Sequence, residues 1–526
     1  MKILVCDNLS EVGVRIFQET PGIDVDVNPG LTPEELKGMV GRYHALVIGS
    51  TAKITAEIIE AARNLKVIGR AGTGLYNVDI PAAGKRGIVV MNTPEGNTIT
   101  TAEHAIAMMM ALSRNIPQAT ASLKQGKWEK KELQGREVFN KVLGVVGIGH
   151  IGRIVAQRAR GLKMNVIVHD SYIKPETIEK HGFEPVSFEE LLARSDYITI
   201  HTPMTEETSN LFSRETFAKM RQGAMLINCA RGGIVNEDDL YDALKSGHLG
   251  GAALDVFSKE PPAASRLMSL PNVICTPHLA ASTREAQDNV ARDVAEQIVA
   301  YLLHGTVKNA VNVPSIAPEL MSILRPYARL AEKIGQIQSQ MADSGILEVH
   351  INYLGKMTEF DVSPLTTAFL KGMLTPILGD DVNFVNAPYI AADRGIKVVE
   401  SKTSTSEDFA SLIMAKVRSL EDEHIVSGTI FGKTMPRILR INTFYLEAIP
   451  EGHLLFIFNL DVPGAIGQIA SSLGKHGVNI GRMHVGQERD QERNVILLST
   501  DSPVADDILQ EIRDLDQVFS VRRIEL

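Results

Sequence analysis

Gly147, Gly149 and Gly152 spell G-x-G-x-x-G directly after the apolar run of "KVLGVVGIG", and helix-like text follows. Asp170 comes 18 residues after Gly152, at the end of the next apolar run, "NVIVHD". This spacing suits a dinucleotide: a tight turn at Gly147, close approach of backbone to pyrophosphate at Gly149, and close helix packing at Gly152. The helix amino terminus then faces the negative charge. An acidic residue at 170 accepts from both ribose hydroxyls and repels a 2′-phosphate, so the motif points to NAD rather than NADP. The same glycines could also mark an ordinary strand-to-helix turn; strand, helix and acid in register favour the nucleotide.

Three more residues close apolar runs where core packing does not call for them: Arg231 in "NCARGGIVNEDDL", Glu260 in "ALDVFSKEPP" and His278 in "NVICTPHLAAST". In open α/β sheets ligands lie beyond the carboxyl ends of the strands, so the three can converge on a nicotinamide. Hydride loss from an alcohol requires its hydroxyl proton to leave, and an imidazole titrating near neutrality suits that work. His278 is the expected base. Glu260 can hold the other ring nitrogen and fix the tautomer, while Arg231 can clamp a carboxylate bidentately. Taken singly, each has a plainer reading: a helix-capping histidine, a solvated glutamate beside Pro261 and Pro262, and an arginine in a surface pair.

These residues need elements to position them. At about 150 residues per domain, 526 residues imply three or four domains. Residues 1 to about 95 alternate strand-like runs ("KILVCD", "HALVIGS", "LKVIGRAG", "IVVMNT") with helical ones, which implies a parallel sheet. "TAEHAIAMMMALSRNIPQATASLKQG" reads as one long buried helix, a candidate hinge. A second α/β series carries the glycine motif and its partners, and "STREAQDNVARDVAEQIVAYLLHG" returns as a helix. The mid-chain position of the motif follows if a Rossmann-type dinucleotide domain is inserted into a flavodoxin-like substrate domain. We expect boundaries at 1–97 with 283–312 for the substrate domain and 98–282 for the nucleotide domain. An α+β intervening domain would span 313–450, with "LEVHINYLG", "FVNAPYIAADRG", "HIVSGTIFG" and "RILRINTFYLEAIP" as its strands. Residues 451–526 follow the βαββαβ order of a ferredoxin-like domain.

Composition excludes several classes. Hydrophobic residues make up 44% and charged ones 22%, the balance of a packed globular chain. A net charge of −9 argues against nucleic acid as a partner. The longest apolar runs fall short of a membrane span, and Asp7 interrupts any leader-like start, so a cytoplasmic protein is expected. Cys6, Cys229 and Cys275 lack C-x-x-C spacing, so neither disulfides nor a metal site is indicated.

The glycine motif with Asp170 and the three segments bearing Arg231, Glu260 and His278 resemble the D-isomer-specific 2-hydroxyacid dehydrogenases. "GRAGTGLYNVDI", "VVMNTPEGNTITTAEHAIAMMMALSRNIPQATASLKQGKWEKKEL" and the long carboxyl extension are similar to the long-form phosphoglycerate dehydrogenases within them. The resemblance implies oxidation of D-3-phosphoglycerate to 3-phosphohydroxypyruvate, the step that commits carbon to serine, with Arg231, Glu260 and His278 catalytic. It implies NAD contacts at Thr73, His150, Ile151, Asp170, Thr202, Cys229, Ala230, Asp255, Ala280 and Ala281 beside Gly147, Gly149 and Gly152. Substrate would meet Arg70, Gly72, Asn97, Arg231 and His278. Two departures stand out: Gly49 where many members have Arg, and Tyr76 where Asp is common. Lys53 or Lys130 could make good the missing guanidinium, though as a point charge without the fork.

"FIFNLDVPGAIGQIASSLGKHGVNIGRMHVG" is similar to ACT domains. That likeness implies an amino-acid effector, serine in dehydrogenases of this type, held by Asp461, the helix start at Gly464, and Asn479 at an interface between two such domains. A homotetramer is expected by the same resemblance. Other readings stay open: a glyoxylate or hydroxypyruvate reductase, a non-enzymatic NAD-sensing protein, and a carboxyl-terminal domain that only pairs.

Overall fold

The computed structural model describes residues 1–262, 265–314, 320–405, 409–488 and 492–526. Its first sheet is five-stranded and wholly parallel, in the order β2-β1-β3-β4-β5, with β1 Lys2–Val5, β2 Asp24–Val27, β3 Ala45–Ile48, β4 Val67–Arg70 and β5 Val89–Met91. That is the flavodoxin-like order. β2, "DVDV", is largely exposed at the sheet edge and carries little apolar signal.

The second sheet, also parallel, runs β12-β11-β10-β9-β6-β7-β8. Its strands are β6 Val142–Val146, β7 Asn165–His169, β8 Glu184–Pro185, β9 Tyr197–Ile200, β10 Met225–Asn228, β11 Gly251–Leu254 and β12 Val273–Cys275. The chain then goes home: helix Arg284–His304 is capped by the Thr283 side chain and ends on left-handed Gly305. Its Val294, Ala295 and Ile298 share a core with Ile3, Val5, Val47 and Met91 of the first sheet. The Rossmann-type sheet is therefore an insertion into the flavodoxin-like one.

Two expectations are corrected here. The long hinge helix is two helices, Thr98–Ser113 and Ile116–Lys124, because Asn115 adopts φ 51° and Pro117 can only sit in a first turn. "FVNAPYIAADRG", read as a strand, forms helix Ala387–Asp393 after a turn in which the Asn383 side chain accepts from the Val385 and Asn386 amides. Short apolar runs do not separate strand from helix, and here Pro388 in the first turn decides.

The third sheet has ten strands in the order β14-β13-β15-β16-β17-β18-β20-β21-β19-β22. β13 Ile346–Gly355 pairs parallel with β14 Lys397–Thr403, and the remaining pairings are antiparallel, through β15 Ser411–Ser419, β16 Glu423–Phe431, β17 Met435–Ile441 and β18 Phe444–Ala448. Helices Met321–Met341 and Ser363–Leu378 cover this part; a Cβ at Gly372 would lie 2.0 Å from the Glu332 carbonyl oxygen, so the pair packs backbone to backbone. β19 His453–Leu460, β20 Ile480–Gln487, β21 Arg493–Thr500 and β22 Val518–Glu525, with helices Ala465–Lys475 and Asp506–Arg513, complete the ferredoxin-like unit. The two units expected from the sequence adjoin along one sheet, where β18 pairs with β20 and the Gln340 side chain bonds both backbone groups of Glu525.

The extension also docks on the first sheet. The Asn383 side-chain amide donates to the Gly87 carbonyl at 3.0 Å, Lys85 pairs with Asp393 at 3.0 Å, and the Tyr389 ring lies over Gly84. Among the described residues no helix is long and apolar enough to cross a membrane.

Candidate active site

β6 runs into Gly147 at φ 91°, and Gly149 caps helix His150–Gly161. A Cβ at Gly152 would lie 2.0 Å from the Gly147 carbonyl oxygen, which ties the helix to the turn. The space where a Cβ would stand at Gly149 is open, as backbone contact with a pyrophosphate requires. One Asp170 oxygen accepts from the Ile148 amide at 2.9 Å, the other from Tyr172 and Ile173 at 2.9 and 3.0 Å. A carboxylate has about four acceptor positions, so Asp170 braces the turn and keeps capacity for a ribose hydroxyl.

Beside this turn lies a cavity of about 210 Å³ whose wall includes Thr73, Asn97, Ile151, Thr202, Cys229, Ala230, Arg231, His278, Ala280 and Ala281. These come from strand ends and loops far apart in sequence. The Thr202 hydroxyl is buried without a partner in the protein, an acceptor and donor ready for a polar ligand. The open glycine face and this hydroxyl fit a dinucleotide. His150 is exposed at the helix start and does not line this wall. His201 does, and the sequence reading missed it; its place at the end of "YITIH" was the available signal. Burial pushes its pKa down to about 4, so it is neutral at pH 7. Burial likewise raises the Cys229 thiol, with Asp255 adding to the effect, which leaves it no thiolate character.

His278 Nδ1 and Glu260 Oε2 are 2.8 Å apart, while the other Glu260 oxygen accepts from the Phe257 amide at 3.1 Å. With a carboxylate at Nδ1, the proton sits there and Nε2 is left to accept. His278 has φ 53°, unusual for a residue with a side chain, and its amide donates to the Asp255 carbonyl at 2.9 Å. Arg231 rests one guanidinium nitrogen on the Ala230 carbonyl at 2.6 Å. Asp255, expected to touch the nucleotide, is fully buried and does not line the cavity. Its carboxylate accepts from the Thr276 hydroxyl at 2.5 Å and from the Leu279 and Ala280 amides at 2.7 and 2.9 Å. Burial pushes its pKa up, but these bonds and one from His104 outweigh that and hold it below the usual range. Its spacing resembles a ligand contact; its burial makes it a brace for the turn.

A second cavity of about 590 Å³ adjoins the first through Asn97 and Ala281. Arg70 and Gly72 line it with Asp7, Asn8, Ser50, Thr51 and Gln287. A Cβ at Gly72, where φ is 131°, would lie 1.7 Å from Arg70 Nη1, so the guanidinium occupies the space a side chain would take. Arg70 Nε is buried without a partner. Burial lowers this guanidinium's pKa, with Tyr76 opposing the shift. Gly49 donates to Asp7 at 2.6 Å, and a Cβ there would lie 3.2 Å from that carboxylate. Lys53 lines a small neighbouring cavity with Asp7 and Thr51; Lys130 lines neither of the two adjoining cavities.

Residues 106–280 match the D-isomer specific 2-hydroxyacid dehydrogenase NAD binding domain, 323–442 the D-3-phosphoglycerate dehydrogenase intervening domain, and 453–517 the ACT domain. The chain is 43% identical to the D-3-phosphoglycerate dehydrogenase of Archaeoglobus fulgidus over the full length of both, 100% of each. It is 44% identical to that of Synechocystis over 100% of this chain and 95% of the relative. A crystal structure of a Thermus thermophilus protein covers 59% of this chain and 100% of its own, at 36% identity and a TM-score of 0.55. The chain belongs to the D-3-phosphoglycerate dehydrogenase family.

As in that family, NAD is the cofactor of the inserted domain and the enzyme class is an NAD-dependent 2-hydroxyacid dehydrogenase. The ACT domain of this D-3-phosphoglycerate dehydrogenase family member holds its three expected ligand residues differently from one another. Gly464, at φ 92°, opens the Ala465–Lys475 helix. Asp461 accepts from the Asn494 side chain at 3.2 Å, and Asn479 donates to Asp501 at 2.6 Å. Both are thus bonded within the chain.

Proposed function

We propose that this chain oxidises D-3-phosphoglycerate to 3-phosphohydroxypyruvate, the first step of L-serine biosynthesis, and that serine acts on its ACT domain. The observation that carries the reading is that His278, held by Glu260 at 2.8 Å, lies on the same cavity wall as Arg231. Bound NAD supplies the hydride acceptor. His278 Nε2 takes the substrate hydroxyl proton, and Glu260 stabilises the imidazolium that results. Arg231 pairs with the substrate carboxylate and sets the carbinol hydrogen toward the nucleotide turn. Arg70, with Ser50 and Thr51 nearby, receives the phosphate end in the larger cavity. Asp461, Gly464 and Asn479 receive the effector; for Asn479 this means giving up Asp501.

The working form is a homotetramer in the cytoplasm, divided at 1–97 with 283–312, 98–282, 313–450 and 451–526. Relatives named D-3-phosphoglycerate dehydrogenase, matched over 95% and 100% of their length, support the activity. Gly49 favours one competitor, a hydroxypyruvate or glyoxylate reductase, because it leaves the larger cavity one guanidinium short. NADH formation from D-3-phosphoglycerate and NAD, with and without serine, separates them: turnover suppressed by serine is expected. Activity confined to hydroxypyruvate or glyoxylate would replace the substrate, and insensitivity to serine would leave the ACT domain another ligand or an assembly role.

A further inference from the structure

His278 sits in a backbone conformation that a side-chain-bearing residue holds only when its surroundings over-determine it, φ 53°. The restraint comes from Asp255, which reaches the turn through its carbonyl to the His278 amide and its carboxylate to the Leu279 and Ala280 amides. Asp255 in turn is held from the other side. Thr276 gives its hydroxyl proton to Asp255 at 2.5 Å, so its remaining capacity is to accept. His104 Nε2 lies 3.1 Å from that hydroxyl oxygen and 3.3 Å from Asp255 Oδ1, and therefore donates to both. His104 belongs to helix Thr98–Ser113, which starts directly after Asn97, a residue common to both cavities.

We propose that His104 is a positioning residue for the catalytic base: its Nε2–H completes the donor set of the buried Asp255 carboxylate, which holds the 276–280 turn and aims His278. Asp255 is fully buried, so losing a donor leaves a charge short of hydrogen bonds, and the turn bonded to that carboxylate shifts in response. The helix also makes the aim of the base depend on where Asn97, and hence the substrate side of the cleft, stands. This inference rests on His278 being the base.

The test compares His104→Leu, which has no donor, with His104→Gln, whose side-chain amide can donate from nearly the same place. Turnover, KM values and melting temperature are measured, with His278→Ala alongside. We expect kcat to fall about tenfold or more in the leucine variant, as displacement of a reacting group by a fraction of an ångström requires, and to return in the glutamine variant. Melting temperatures should stay close to that of the unaltered protein. If the leucine variant does not fold, Thr276→Val breaks the same link and should show the same loss. Equal rates in the leucine and glutamine variants, high or low, would overturn the role of the donor while a dead His278→Ala left the base intact. An active His278→Ala would overturn both readings.

Discussion

Gly72 shows how one missing side chain shapes the cleft. The Arg70 guanidinium lies where its Cβ would be, 1.7 Å away, and φ 131° is itself costly for any other residue. Gly72→Ala should therefore drive Arg70 out of the larger cavity. The expected result is a KM for D-3-phosphoglycerate about tenfold higher, the size of one lost charge-assisted bond, with the KM for NAD little changed. His201 makes a second prediction at this scale. Its ordinary value of 6.5 is pushed down to about 4 in the folded protein, so below pH 6.5 the unfolded chain binds a proton that the folded chain refuses. Stability is full above pH 6.5 and falls as pH drops through the window to 4, by up to about 3 kcal/mol. Melting curves at pH 7 and pH 5 should separate by less in His201→Asn than in the unaltered protein; equal separation would exclude the histidine as the cause.

Some elements meet in this molecule by backbone contact at small residues. The Met321–Met341 and Ser363–Leu378 helices come so close at Gly372 that a Cβ would stand 2.0 Å from the Glu332 carbonyl oxygen. No rotamer relieves a backbone clash, so Gly372→Val must part the helices and open their shared core of Leu330, Ile334, Phe369 and Met373. Calorimetry should find a transition lowered by several degrees, corresponding to a loss of about 3 kcal/mol or more, with NAD affinity unchanged. At the other end of the scale of tolerance, Glu348 on β13 gathers Lys397, His350 and Arg418, and the hydrogen bond from Lys397 leads those that lower its pKa to about 2. Lys397 and Arg418 are exposed while the Glu348 carboxylate between them is mostly covered, so the network stitches β14, β13 and β15 together at the edge of the sheet face.

The carboxyl-terminal extension has two seams: the joined sheet at β18 and β20, and the docking of residues 383–393 on residues 84–87. The second seam is the only one of the two that touches the substrate domain, and it does so one strand from the loop that carries Arg70 and Gly72. A side chain at Gly84 would meet the Tyr389 ring at 2.4 Å. Gly84→Val should pry the seam apart, read as faster amide hydrogen exchange over residues 383–396 with exchange in β6 and its glycine turn unaltered. Unchanged exchange at 383–396 would mean that the seam absorbs the extra volume.

The amino-acid sequence by itself determined what depends on neighbours within about twenty residues: the glycine turn with Asp170, the strand-end positions of Arg231, Glu260 and His278, and the βαββαβ order of the last unit. Those features are written in spacing and periodicity, which a strand, a turn and a helix translate directly into geometry. Only the tertiary structure decided which partner each residue met across long stretches of chain. It buried Asp255 beneath the turn that carries His278, brought in His104 and His201, ran one sheet through the intervening and ACT units, and broke the hinge helix at Asn115. The reason is physical: a carboxylate, imidazole or amide takes its role from burial and from whichever donor packing delivers, and neither quantity is local in the chain.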